Sequence, residues 1–244
     1  MRIAIVSDIH GNRIALEAVV ADLRETSPDL ILHGGDLVMG GSSSAEVVDQ
    51  IRDLGWRGVL GNADEVFARP ESLEEFASQS PAPPALWEAV REMAVATSGE
   101  LGKERIRWLR GLPMTQIQKP IALVHASPQS AWRSPGAGAS DTELASVYGP
   151  LGQPIVVYGH IHCSFIRSVA GSDRETMLVV NSGSVSQSYD GDRRAAYLLL
   201  DGVKPTIRRV EYDVEAEIRA LSACGLPHAD WMARTLRAAG PQMP

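Results

Sequence analysis

The chain has 244 residues, 23 Lys+Arg against 30 Asp+Glu for a net charge of −7, and 44% hydrophobic residues. Such a length suits one domain, read here across residues 1–244, and so balanced a composition excludes wholesale disorder. The acidic balance without any Lys/Arg run excludes binding to nucleic acid or an anionic membrane mainly through surface charge, and no apolar stretch approaches the ~20 residues of a membrane span.

Residues 2–7 read as a buried first strand. Asp8 and His10 interrupt the apolar run too early for a signal peptide, so the chain is expected to be cytoplasmic. A helix follows over residues 13–25, where Leu16, Val19, Val20 and Leu23 recur at i, i+3, i+4 and i+7 and form one apolar face. Residues 30–32 are the next strand. Ser43 and Glu46 offer a capping box for a helix that buries Val47, Val48, Ile51 and Leu54. A strand at 58–60 comes next, and then the strand rhythm stops. From about 65 to 120, Trp87, Val90, Trp108 and Leu109 stand among charged residues in helical segments broken at Pro81 to Pro84 and at Gly99, a helical insertion over one side of the sheet. Strands resume at 121–124, 155–158, 177–180, 196–200 and 206–212, and the last two form an antiparallel hairpin through Asp201-Gly202. The open loop 126–140 is of the kind that shapes a pocket. Residues 214–240 read as surface helices. The whole is a mixed α/β pattern. Cys163 and Cys224 make no disulfide framework and read as free thiols.

Five strand ends carry polar residues that a buried strand does not need: Asp8-Ile9-His10, Gly35-Asp36, Gly61-Asn62-Ala63-Asp64, His125 and Gly159-His160-Ile161-His162. Four of the six histidines lie there. The carboxyl ends of strands in open α/β sheets face the ligand crevice, so these distant residues can converge. At Asp8 with His10, and at His160 with His162, the i, i+2 spacing puts both side chains on one side. Imidazole, carboxylate and amide donors without thiolate suit divalent Mn, Fe, Zn or Co. Asp8, His10, Asp36, Asn62, His125, His160 and His162 exceed the needs of one ion, whereas two ions about 3.5–4 Å apart with a bridging Asp would use them all. With the histidines neutral, two such ions and a shared hydroxide leave a net positive site that draws in an anionic phosphoryl group.

The order Asp-x-His, Gly-Asp, Gly-Asn-x-Asp, His, Gly-His-x-His, followed by Asn181-Ser182-Gly183-Ser184-Val185, resembles the calcineurin-like metallophosphoesterases, in particular the small bacterial and archaeal phosphodiesterase-like branch, over roughly residues 1–212. The resemblance implies a four-layer α/β/β/α sandwich. It implies one metal held by Asp8, His10, Asp36 and His162 and a second by Asp36, Asn62, His125 and His160. Two divalent ions are expected, manganese first, with Fe, Zn, Ni or Co as alternatives. Three positions depart from the family pattern. Ala63 stands where larger members carry a His that can act as general acid, Ile161 replaces the usual Thr, and Ser182 replaces the usual Pro. The missing acid favours phosphodiesters or activated esters, with Asp36, Asn62 and His125 positioning hydroxide and phosphate. The alternatives are a phosphomonoesterase for nucleotides, dinucleoside polyphosphates or phosphoproteins, and a non-catalytic scaffold on the same fold.

Around this set, Asp64 reads as a group that orients a neighbour or caps the insertion. His33 reads as a hydrogen-bonded histidine of the core or behind the site. Asn12 either reaches substrate phosphate or starts the first helix. Arg133, beside Trp132, either clamps phosphate or is a solvated surface arginine. Cys163 reads as a small buried residue. A small phosphate ester is the expected partner, membrane and nucleic acid are not, and Trp87 and Trp108 fit either the core of the insertion or the interface of a homo-oligomer.

Overall fold

Alternation in the first strand sets the architecture. Ile3 and Ile5 point to one side and Ala4 and Val6 to the other, and both sides are buried, which requires a layer above and a layer below. The computed structural model, which describes residues 1–170 and 176–244, supplies both.

In chain order the elements are β1 (Arg2–Val6), α1 (Arg13–Thr26), β2 (Leu30–His33), α2 (Ser44–Asp53), β3 (Arg57–Gly58), α3 (Asn62–Ala68), α4 (Glu71–Ala77) and α5 (Pro84–Arg110). There follow β4 (Thr115–Gln118), β5 (Ile121–Val124), α6 (Asp141–Tyr148), β6 (Ile155–Tyr158), β7 (Phe165–Ala170), β8 (Thr176–Asn181), β9 (Ala195–Asp201), β10 (Lys204–Val210), α7 (Val214–Cys224) and α8 (Ala229–Ala238). The first sheet has the order β10-β9-β1-β2-β3 and the second β4-β5-β6-β8-β7. Within them β1, β2 and β3 are mutually parallel, as are β5, β6 and β8. The facing layer joins Ile3, Ile5, Leu32 and Val59 to Ile121, Leu123, Ile155, Val157 and Val180. The outer face of the first sheet packs on α1, α2 and the α3–α5 insertion through Leu16, Val19, Val47, Ile51, Phe67 and Leu101, and α6 covers the second through Leu144 and Tyr148. This is the α/β/β/α sandwich. Ile5 is fully buried in the middle layer, so Ile5→Ala is expected to cost about 3 kcal/mol by leaving a cavity between the sheets. A urea midpoint within error of the parent would contradict this packing.

Several local expectations are corrected. Leu54 is not buried: it is 41% exposed, because α2 ends before it. The Ser43–Glu46 capping box does not form, since the Ser43 side chain makes no cap bond and Glu100 of α5 instead accepts the Ala45 N–H at 2.8 Å. The break in the insertion falls at Gly102 (φ 65°, ψ 173°), with Gly99 lying inside the helix. The expected strand 58–60 is only Arg57–Gly58, because the Leu60 N–H turns away to Pro113 O at 2.8 Å. The span read as wholly helical holds the edge strand β4, and α6 and β7 were not anticipated. The hairpin is present, with Asp201 opposite Lys204 across a turn at Gly202. Both cysteines are free, and no helix among the described residues is long and apolar enough to cross a membrane.

Candidate metal centre

Parallel pairing of β1 with β2 and of β5 with β6 brings the carboxyl ends of these strands to one edge of the sandwich, where the two sheets face each other. Directly beyond those ends the backbone turns sharply. Asp8 (φ 59°), His10 (φ 49°), Asp36 (φ 53°), His160 (φ 66°) and His162 (φ 56°) are all left-handed. Such conformations cost non-glycine residues about 1–3 kcal/mol each and gather where function holds them in place. Here they aim alternate side chains at one point.

One ligand atom from each of Asp8, His10, Asp36 and His162 lies within 4.8 Å of the others, and all four residues are buried. His162 Nε2 is 3.2 Å from Asp8 Oδ1 and 3.2 Å from His10 Nε2. Asp36 Oδ2 is 3.5 Å from His10 Nε2 and 3.4 Å from His125 Nε2. Beyond it, Asn62 Oδ1 is 3.0 Å from His125 Nε2 and 2.8 Å from His160 Nδ1. All seven predicted residues therefore meet in one cluster.

Backbone carbonyls orient the rings. His10 Nδ1–H donates to Met39 O at 2.9 Å, His125 Nδ1–H to Gly34 O at 2.8 Å and His162 Nδ1–H to Gln187 O at 2.6 Å. Each bond turns the corresponding Nε2 towards the centre. Asp8 is held by the His160 N–H, 3.0 Å from Oδ1, and Asp36 by the Ala63 N–H, 2.7 Å from Oδ1. Tyr189 stacks on His162 with ring centroids 4.6 Å apart. Sequence reasoning missed Met39, Gln187 and Tyr189. The first two act through backbone oxygens that any residue carries, and no motif marks the third.

The electrostatics couple the carboxylates to the histidines. Burial opposes the charge on Asp8 and Asp36, yet the surrounding histidines overcome it and hold both carboxyls below their usual range, Asp36 far below. Burial also opposes protonation of His125 and His162, but Asp36 lifts the first to about 9 and Asp8 raises the second. Burial keeps His10 low and takes His160 down to about 4. Two buried carboxylates are thus balanced by histidine protons, and the His162 Nε2–H donates to the unprotonated Nε2 of His10 at 3.2 Å, protons whose places a divalent cation would take. Divalent ions fit this donor set.

The remaining predicted residues divide. Asp64 accepts the Leu37 N–H at 2.9 Å through Oδ1 and the Gly61 N–H at 3.1 Å through Oδ2, tying the Asp36 loop to the start of α3. Burial and Asp36 push its carboxyl up to about 7. Asn12 is fully buried: its Oδ1 accepts the Ala15 N–H at 2.9 Å and its amide donates to Ser186 Oγ at 3.1 Å. It caps α1, with both ends of its amide engaged. Arg133 donates to Gln79 Oε1 at 2.9 Å and lies over Phe76, 5.2 Å from its ring centroid, so its polar contacts among the described residues are with the insertion rather than the cluster. Trp87 and Trp108 pack half-buried on the core beneath. His33 corrects its expectation. It is fully buried beside Trp108, but neither ring nitrogen has a hydrogen-bond partner among the described residues, and burial lowers its pKa to about 3. Cys163 is half-buried and donates to Tyr189 O at 3.4 Å.

Comparison with known proteins places these features. Residues 1–204 match the calcineurin-like phosphoesterase superfamily domain. An uncharacterized protein of Methanocaldococcus jannaschii is 30% identical over 96% of each chain. A symmetrical bis(5'-nucleosyl)-tetraphosphatase of Pectobacterium atrosepticum is 30% identical over 62% of this chain, which spans about half (52%) of that enzyme's length. Among solved structures, a metallophosphoesterase from Sphaerobacter thermophilus superposes with a TM-score of 0.78 at 26% identity, covering 98% of this chain and 99% of the other. A hypothetical protein from Pyrococcus horikoshii gives a TM-score of 0.80 at 19% identity, covering 99% of both.

Proposed function

Because the chain belongs to the calcineurin-like phosphoesterase superfamily, we propose that it hydrolyses phosphodiester or activated phosphate ester bonds in the cytoplasm with two divalent cations, manganese first. Asp8, His10, Asp36 and His162 would hold one ion, and Asp36, Asn62, His125 and His160 the other. The observation that carries this reading is the position of Asp36 Oδ2, 3.5 Å from His10 Nε2 in one set and 3.4 Å from His125 Nε2 in the other. When bound, such ions supply Lewis acidity towards a phosphoryl group and a strong oxygen nucleophile at neutral pH.

The chain's own part is placement. The carbonyls of Met39, Gly34 and Gln187 fix three imidazoles, and Asp64 locks together the loops bearing Asp36 and Asn62, so the donors are in position before substrate arrives. The side chain after Asn62 is the methyl group of Ala63, which has no proton to give to a departing oxygen. A leaving group that needs no protonation, such as an aryl oxide, is therefore favoured over an alkyl one; with the leaving group held the same, the motifs' resemblance to the phosphodiesterase-like branch sets the expectation that kcat/KM for an aryl phosphodiester exceeds that for the corresponding aryl monoester. A tenfold advantage for the monoester would overturn the diester preference and favour a phosphomonoesterase. The tetraphosphatase relatives support a second reading, hydrolysis of dinucleoside polyphosphates, which faster turnover of such a compound than of the aryl diester would favour. A chain that binds the ions and hydrolyses none of these esters would instead be a scaffold.

Metal binding has its own signature. His125, raised to about 9, and His162, also raised, give up protons when they become ligands. Near pH 7 binding is expected to release protons, and affinity to fall by about tenfold per pH unit for each proton displaced as the pH drops. Calorimetry in buffers of different ionisation enthalpy measures this directly, and zero proton release would contradict the assigned protonation.

A further inference from the structure

Helix α7 lies beyond residues 1–204, the part that matches the family domain, yet one of its side chains reaches the loop that orients a site histidine. Glu217 is fully buried. Its Oε1 accepts the Ser42 N–H at 2.8 Å and its Oε2 accepts the Ser42 hydroxyl at 3.1 Å. Burial pushes this carboxyl up to about 7, and Arg13 of α1 and Tyr212 are the charged and titratable groups that act on it or feel it. A buried carboxylate is costly to keep. This one is spent on a single serine of a short loop.

The loop over residues 39–43 touches the metal centre from behind. Met39 O accepts the His10 Nδ1–H at 2.9 Å, and the Ser43 N–H donates to Gly11 O at 2.9 Å. The fit is close: a Cβ added at Gly41 would sit 2.4 Å from His10 O and 2.6 Å from Asn12 N. The position of the loop is therefore transmitted to the ring of His10, and Glu217 of α7 holds that loop from outside at Ser42.

We propose that Glu217 is a positioning residue of the metal centre: by holding Ser42 it fixes the Met39 carbonyl, and through it His10, so that helix α7 sets the affinity of the ion held by Asp8, His10, Asp36 and His162. This rests on the metal-centre reading above. The test is calorimetric titration of the metal-stripped full chain with Mn²⁺, alongside thermal unfolding. Glu217→Ala is expected to weaken one binding step by about 10–100-fold, the range for partners that orient a ligand, and to leave the other step within about threefold. Glu217→Gln can still accept the Ser42 N–H and can donate to the Ser42 oxygen, so it should restore the affinity to within about threefold. A Glu217→Ala chain that folds, melts earlier and binds Mn²⁺ as tightly as the parent at both steps would overturn the proposal, because Glu217 would then serve stability alone. Should that variant fail to fold, Glu217→Leu decides, since it fills the same buried space but accepts neither the Ser42 N–H nor the Ser42 hydroxyl: weaker binding at one step supports the proposal, and unchanged binding overturns it. A parent chain that binds no Mn²⁺ would contradict the metal-centre reading itself, a result distinct from loss of the Glu217 effect.

Discussion

Asp36→Asn is expected to lower kcat/KM on the order of 10³-fold or more while leaving the protein folded. The fold should survive because the contact that places the side chain uses Asp36 Oδ1, which accepts the Ala63 N–H at 2.7 Å, and an amide oxygen can accept the same bond. What the substitution removes is the negative charge on the oxygen that lies 3.5 Å from His10 Nε2 and 3.4 Å from His125 Nε2. Among the described residues no other carboxylate oxygen lies within 4 Å of an imidazole nitrogen from each set, since Asp8 meets the ring of His162 but only the backbone N–H of His160. Losing the charge also removes the largest influence that raises His125, leaving only Asp8 and the Gly34 carbonyl to do so, so the variant's proton release on metal binding should fall as well. Circular dichroism and thermal unfolding check the fold, and steady-state hydrolysis of an aryl phosphodiester with Mn²⁺ checks the rate. A folded variant with undiminished turnover would remove Asp36 from the bridging position.

Gly61→Ala is expected to do comparable damage for a different reason. Its backbone (φ −90°, ψ 168°) is open to any residue, so conformational freedom is not what it supplies. It supplies space: an added Cβ would lie 2.1 Å from Asp36 N and 2.1 Å from Asp36 Oδ1. One of these contacts is with main chain, which cannot swing aside, so the Asp36 loop must move away from α3. Overpacking of this kind costs about 1–3 kcal/mol and more where backbone must shift. The expected outcome is a loss of about 3 kcal/mol together with loss of Mn²⁺ binding. Gly99→Ala is the control, since a Cβ there meets nothing within 4 Å and the residue lies inside α5. It should be neutral or gain up to about 1 kcal/mol from helix propensity. A Gly61→Ala chain with the stability and metal affinity of the Gly99→Ala chain would show that the loop is not tightly constrained.

The residues of the candidate site were legible because Asp, Asn and His at the ends of buried runs have no packing reason to be there, and because their order matched a known family. The geometry that makes them a site was not legible. Left-handed backbone at Asp8, His10, Asp36, His160 and His162 follows from tertiary constraint rather than from residue preference, and the carbonyls of Met39, Gly34 and Gln187 look the same in sequence as any others. The core helices could be read from their periodicity, whereas the edge strand β7, with exposed residues alternating along it, carries too little apolar signal. Gly99 and Gly102 are equivalent breakers in sequence, and it is Gly102 that takes the positive φ. Asn12 left two readings open because a capping side chain and a ligand-binding one share the same chemistry. Its bonds to Ala15 and Ser186 show the capping role. Glu217 was invisible in the sequence, since a glutamate in the first turn of an amphipathic helix ordinarily faces solvent.

The most direct test of a metal-dependent phosphoesterase centred on Asp36 is turnover of an aryl phosphodiester by metal-stripped protein, measured before and after separate restoration with Mn²⁺, Fe²⁺, Co²⁺, Ni²⁺, Zn²⁺ and Mg²⁺. The expected result is no turnover in the stripped protein and recovery with added metal, greatest with Mn²⁺. Undiminished turnover in protein shown to be free of metal, or no hydrolysis of any phosphate ester by protein shown to hold two ions per chain, would contradict it.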